Sequence, residues 1–253
     1  MRKLRALGSL PDASAHRALS LARLRKLWYF AHEHGSVAAT QHLPVEVLKI
    51  SSDAPERHLI DYAATFIKRG RVVAIPTDTF YGLSADPFNL AAVERVFRVK
   101  GRPESQALPI LVHSIEQAVT LIRDVPDPFL TLAHKFWPGA LTLIVEATHR
   151  LPLKVTGNTG RVALRWPKSN IATALIESAE SPITGTSANL SGHPSCSSAE
   201  QILAQLNDRL PLILDSGDTG GTQASTIVRI DGDHWTIVRE GAIPNVEIEC
   251  AFR

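Results

Sequence analysis

Short apolar runs, each about as long as one buried strand and each stopped by a polar cluster, constrain this chain more than any other feature. They are Arg71–Pro76 (RVVAIP), Leu108–Val112, Ala140–Val145, Val162–Trp166, Ile183–Thr186, Leu212–Leu214, Thr226–Ile230 and Trp235–Arg239. Runs this short suit buried strands and fall well below the roughly 20 apolar residues that a membrane helix needs. Helix patterns with local start and stop signals lie between them. Glu56–Lys68 is closed by Gly70, and Asn89 caps a helix to Val99 with Gly101 just beyond. Ser114 with Gln117 and Ser198 with Gln201 have capping-box spacing, before helices through Ile122 and Leu206. Asp127–Trp137 is stopped by Pro138-Gly139. This alternation predicts an α/β fold with helices around a sheet. Asp231-Gly232-Asp233 joins the last two strands as a hairpin, so the sheet is expected to be mixed parallel and antiparallel.

The organisation changes near residue 50. Residues 1–50 are expected to form an N-terminal basic helical extension, and residues 51–253 the α/β domain. In the extension Arg2, Lys3, Arg5, Arg17, Arg23, Arg25 and Lys26 outnumber Asp12 and Glu33, while Leu19, Leu21, Leu24, Leu27, Trp28 and Phe30 supply one apolar helical face. A short accessory helix, a start codon placed too early and a mitochondrial transit peptide are the three readings of that stretch. Two cysteines without a CxxC pair, and ten histidines without HExxH-like spacing, point to no protein-built metal site and to a reduced, cytoplasmic setting. A net charge of +2 neither requires nor excludes nucleic acid.

Four polar clusters end these strands or their helices, and ligands in open α/β sheets gather at strand ends. The first is Pro76-Thr77-Asp78-Thr79-Phe80-Tyr81-Gly82-Leu83, two hydroxyls and a carboxylate behind a buried strand. The second, Lys100-Gly101-Arg102-Pro103, sets a mobile point charge beside a guanidinium fork suited to phosphate or carboxylate. The third, Thr186-Ser187-Ala188-Asn189, lets backbone N–H groups approach an anion. The fourth joins Ala224-Ser225-Thr226 to Arg239-Glu240-Gly241. Each has a plainer reading as turn chemistry or helix-dipole complement. Arg165 is the exception, because a charge ending so apolar a strand must be solvated or paired. The chain has no GxxxxGK[ST], GxGxxG or GxSxG, so P-loop, Rossmann and α/β-hydrolase sites have no support.

In this order the clusters resemble the YrdC/TsaC family: PTxTxYGL (Pro76–Leu83), KxR (Lys100, Arg102), Phe136–Leu143 as FWPGxLTL, SxN (Ser187, Asn189), SGxPS (Ser191 to Ser195), AST and REG. The resemblance runs from about Pro55 to Gly241. It implies a twisted mixed sheet flanked by helices, with a concave, positively lined ligand groove. It also implies a nucleotidyltransferase, an L-threonylcarbamoyladenylate synthase, that makes threonylcarbamoyl-AMP and pyrophosphate from L-threonine, bicarbonate and ATP. A downstream transferase complex would then use the product for tRNA modification, and direct tRNA contact is left open. By resemblance, Thr79, Arg165 and Ser225 would hold L-threonine, and Lys100 and Arg102 would act as the catalytic cations. Ser187, Asn189, Ser197 and Arg239 would hold ATP together with Lys100 and Arg102, and Mg²⁺ would arrive with ATP. Arg161, Gln106 and His113 are weaker candidates.

The run Glu104–His113 departs from the family pattern. Gln106 stands where many relatives carry Asn, and the spacing to His113 is longer. His113 is thus open between a threonine ligand and a plain strand-end histidine. The chain stops soon after Gly241, so the single-domain branch is expected rather than the longer Sua-type branch. A YciO-like paralogue with another substrate is one competing reading. A non-catalytic RNA-binding module is another, though the four clusters lack aromatic platforms. A HypF-type carbamoyltransferase would need acylphosphatase and zinc-finger parts.

Overall fold

The computed structural model describes residues 44–253, so the expected extension helix and transit segment lie outside the described residues. Eleven strands form two sheets rather than one. The first runs β1 (Glu46–Lys49), β9 (Leu212–Asp215), β2 (Val73–Ile75), β3 (Gly82–Ser84), β8 (Thr186–Ser187). The second runs β11 (His234–Arg239), β10 (Thr226–Asp231), β5 (Leu141–Glu146), β6 (Arg161–Arg165), β4 (Ile110–Leu111), β7 (Ile183–Thr184). Both are mixed, and the two-residue loop between β10 and β11 is the expected hairpin. The run expected as one strand over 183–186 is split at Gly185, where the chain leaves the second sheet for the first. The α/β fold already starts at Glu46, because β1 pairs in parallel with β9, on the far side of the boundary expected at residue 50.

Period-2 alternation explains why β2 and β9 read as continuous apolar runs. Val73, Ile75, Leu212 and Leu214 face a core shared with α1 (Arg57–Lys68) and α5 (Asn170–Ala179). Ala74 and Ile213 face the opposite way, into the larger core. That larger core also takes Leu141, Leu143 and Val145 of β5, Val162 and Leu164 of β6, and Val228 and Ile230 of β10. It is completed by α2 (Leu90–Lys100), α4 (Asp127–Phe136) and α6 (Ala199–Leu206). A strand buried on both faces has no room for polar alternation.

The helix caps match their local signals. Asn89 accepts from Ala91 N and Ala92 N, Ser114 from Gln117 N, and Ser198 from Gln201 N. α3 (Ile115–Val119) stops short of Ile122, which makes a single bridge to Ala147 instead. In both expected capping boxes the glutamine reaches one residue further back than the box predicts. Gln117 accepts from His113 N, and Gln201 accepts from Ser197 N. α7 (Asn245–Glu249) is followed directly by a 3-10 turn, Cys250–Phe252. Among the described residues no helix is long and apolar enough to cross a membrane.

Candidate active site

Strand direction brings the polar clusters together. In the first sheet β2 and β9 are parallel, β3 opposes β2, and β8 opposes β3. The ends of β2, β9 and β8 and the start of β3 therefore share one edge, which carries Thr77–Thr79, Asp215–Asp218 and Ser187. In the second sheet β6 is parallel to β4 and antiparallel to β5, β10 is parallel to β5, and β11 opposes β10. One edge there holds the end of β6 (Arg165), the chain just past β4 (His113), the starts of β5 and β10, and the end of β11 (Arg239). Along β6, Val162 and Leu164 enter the core, so Arg161, Ala163 and Arg165 point the other way.

Arg165 joins the two edges. Its Nη2 donates to Asp78 Oδ1 at 2.6 Å, its Nη1 to Thr79 Oγ1 at 3.0 Å and its Nε to the Gly139 carbonyl at 3.0 Å. Arg165 is 7% exposed. Burial pulls its pKa below the ordinary value, Asp78 pulls the other way, and the nearby Arg239 lowers it further. Thr79 Oγ1 is also 3.1 Å from Thr77 Oγ1. Ser225 is buried and exchanges a 2.8 Å hydrogen bond with Thr142. Arg239 donates to the Ser225 carbonyl at 2.6 Å while its side chain stays exposed.

Lys100 is 3% exposed and ends α2. Its ammonium has three donors for four oxygens: the carbonyl and Oγ of Ser187 and the carbonyl and Oδ1 of Asn189. It therefore ties KxR to SxN across 87 residues of sequence. Burial first, then the charge of Arg102, lowers its pKa to about 8. Gly101 (φ 61) ends the helix in the left-handed region, a conformation that favours glycine, and so directs Arg102 away from the helix axis. Arg102 gives one Nη2 bond to the Ala107 carbonyl, while its buried Nε has no partner. Burial lowers its pKa also.

The remaining candidates divide. Ser197 lies beside the first-sheet edge, its Oγ donating to Asp218 at 3.2 Å. His113 is half-buried at the end of β4, next to the β6 terminus. Gln106 is exposed in the turn after Arg102. Arg161 is not brought to the cluster. It begins β6, four residues or about 13 Å from Arg165, and pairs with Asp231. Asp78, Thr142 and Thr219 belong to the assembly and were not singled out from sequence. Asp78 had a visible signal as the carboxylate between the two threonines, whereas Thr142 and Thr219 look like ordinary strand and loop threonines. Open clefts flank the cluster: one of ≈ 370 Å³ lined in part by Thr77, Ser169, Ser216 and Thr219, and one of ≈ 500 Å³ lined in part by Ala224, Arg239 and Gly241. Among the described residues no group of three or more His, Cys, Asp or Glu is arranged to hold a metal.

Residues 65–241 match the family model Sua5_yciO_yrdC, described as "Telomere recombination". The chain is 40% identical over 196 residues to the threonylcarbamoyl-AMP synthase of Pyrococcus abyssi, a match covering 77% of this chain and 57% of that one. It is similar to the structure of P. abyssi Sua5 complexed with L-threonine (TM-score 0.79, 37% identity, 82% of this chain and 61% of that one). It is also similar to E. coli YciO (TM-score 0.73, 26% identity, 79% and 97%). The chain thus spans less than two thirds of the length of its P. abyssi relative.

Proposed function

We propose that this chain, which belongs to the Sua5_yciO_yrdC family, is a threonylcarbamoyl-AMP synthase that uses L-threonine, bicarbonate and ATP. The observation that carries this reading is Arg165, a nearly fully buried guanidinium that spans the two sheets and fixes Thr79 and Asp78. The name of the 40% identical relative and the L-threonine complex of P. abyssi Sua5 support it.

In the proposed reaction the threonine amine attacks bicarbonate, a C–N bond forms and water leaves. A carbamate oxygen then attacks the α-phosphorus of ATP, and the bond to pyrophosphate breaks. Anions meet and a polyanion departs, so the chain supplies cations and orientation rather than a strong base. Thr79, Arg165 and Ser225 hold L-threonine. Arg102 and Lys100 supply cationic charge to the carbamate and phosphates, and Lys100 also holds Ser187 and Asn189 in register. Ser187, Asn189, Ser197 and Arg239 receive ATP. Mg²⁺ would enter with ATP, bridging its phosphates. A downstream transferase acting on tRNA consumes the mixed anhydride.

The test is pyrophosphate release from ATP and Mg²⁺, with L-threonine or bicarbonate omitted in turn and the product weighed by mass spectrometry. Release requiring both, with a threonylcarbamoyl-AMP mass, is expected. No release from folded protein would overturn the reading and favour a paralogue acting on another substrate.

A further inference from the structure

The loop after β9, Asp215-Ser216-Gly217-Asp218-Thr219-Gly220-Gly221, is fastened at one end and touches two subsites at the other. Its root is rigid. Tyr81, fully buried, donates to the Gly217 carbonyl at 2.7 Å and accepts from Ser216 N at 3.2 Å. Asp215 receives Gly217 N at 2.8 Å and the Lys49 ammonium at 2.6 Å. From this root the loop reaches Thr219, a single residue with two duties. Its backbone N–H donates to the Ser197 carbonyl at 2.9 Å, and its hydroxyl donates to the Thr79 carbonyl at 2.9 Å. Asp218 adds a second hold on Ser197 through its hydroxyl at 3.2 Å. Gly221 then lies flush against Thr79, where an added Cβ would sit 1.5 Å from the carbonyl oxygen.

We propose that Thr219 is a positioning residue that couples the L-threonine subsite at Thr79 to the nucleotide subsite at Ser197. The inference rests on the synthase reading, because that reading assigns the two subsites. Its physical basis is geometric. Thr79 is gripped in front by Arg165 and behind by Thr219, so its carbonyl cannot shift without moving Thr219. Thr219 in turn cannot shift without moving Ser197. A nucleotide that draws on Ser197 therefore biases the backbone that presents Thr79 to the amino acid, and the rigid root keeps the loop from absorbing the movement. Binding of one ligand then pre-pays part of the ordering that the other needs, which is positive coupling. Thr219→Val keeps the shape and the backbone bond to Ser197 but removes the hydroxyl that holds Thr79. Thr219→Ser restores it.

The experiment is calorimetry on the full chain. The Kd of L-threonine is measured without and with saturating α,β-methylene-ATP and Mg²⁺, and the Kd of the analogue without and with L-threonine. In the wild type each ligand should tighten the other by the same factor, at least about five-fold. In Thr219→Val both ligands should still bind alone while that factor falls to near one, and Thr219→Ser should return it. Asp218→Ala, which cuts a separate hold on Ser197, should reduce the factor too and keeps the test open if the valine variant does not fold. A wild type that binds both ligands independently, or a folded Thr219→Val or Asp218→Ala variant with the wild-type factor, would overturn the proposal. A wild type that binds no L-threonine at all would fell the synthase reading itself.

Discussion

Strand β6 carries an arginine at each end, on the same side of the sheet, and the two ends obey different electrostatics. At Arg161 the side chain is 33% exposed and its partner Asp231 38%, with Arg229 competing for the same carboxylate. At Arg165 the corresponding values are 8% and 16%, and a threonine hydroxyl and a backbone carbonyl complete the guanidinium's bonding. A half-buried pair whose side chains still reach solvent contributes less, since water and salt do part of what the partner does. A buried pair offers no such substitute, and loss of one member strands the other. Counting salt bridges would score the two alike; the difference in burial is what sets Arg165 apart.

Removing Arg165 should give the largest effect. Arg165→Ala should abolish pyrophosphate release and cost about 3–5 kcal/mol in urea unfolding, because it leaves Asp78 with little solvent. Arg165→Lys retains the charge but cannot reach Asp78, Thr79 and Gly139 together, so turnover should fall on the order of 100-fold with most of the stability kept. Wild-type turnover in Arg165→Lys would show that charge alone, and not the fork, is what the site uses.

Lys100 sharpens the comparison through pH. Its folded pKa lies near 8 against an ordinary 10.5. The buried charge therefore opposes folding below pH about 8, and that penalty is relieved as pH rises from about 8 to 10.5. Activity should move the other way, falling as pH passes about 8 and the ammonium loses its proton. A pH–rate profile and a series of thermal melts should show the two opposed trends, and both should vanish in Lys100→Met. A rate that stays flat from pH 7 to 9 would remove the Lys100 charge from the mechanism.

The smallest effect belongs to Arg161. Arg161→Ala should change stability by less than about 1 kcal/mol and leave turnover as it was. A large loss in either would mean that the Arg161 end of β6 matters to the site in a way its ion pair does not reveal.

What could be read from sequence follows the range of the interaction responsible. Caps at Asn89, Ser114 and Ser198 are settled within a few residues, and all three were legible. So was Arg165, since a charge ending an apolar strand needs a partner wherever the strand lies. The identity of that partner was not legible, because the Asp78 bond depends on how two separate sheets approach. The division into two sheets was hidden for the same reason: Ile183–Thr184 and Thr186–Ser187 read as one run, and only tertiary pairing sends them to different sheets. α5 was missed although Ile171, Leu175 and Ile176 have helical spacing. β3 was missed because three residues inside a polar motif carry no period. Gly101 was seen as a helix stop, but its effect of turning the chain out of the helix before Arg102 needs the backbone angle.

The order of strands in the first sheet bears on how the protein comes into being. β1 and β2 follow each other in sequence, yet β9 lies between them. A ribosome delivers Glu46–Lys49 and Val73–Ile75 well before Leu212–Asp215, so the sheet stays open, with two unfilled edges, until most of the described chain has emerged. Thr79 and Ser197 acquire their shared brace only after that closure, because the brace is the segment directly following β9. Folding of this topology is accordingly slow and exposed to mispairing, and no early fragment holds a finished site.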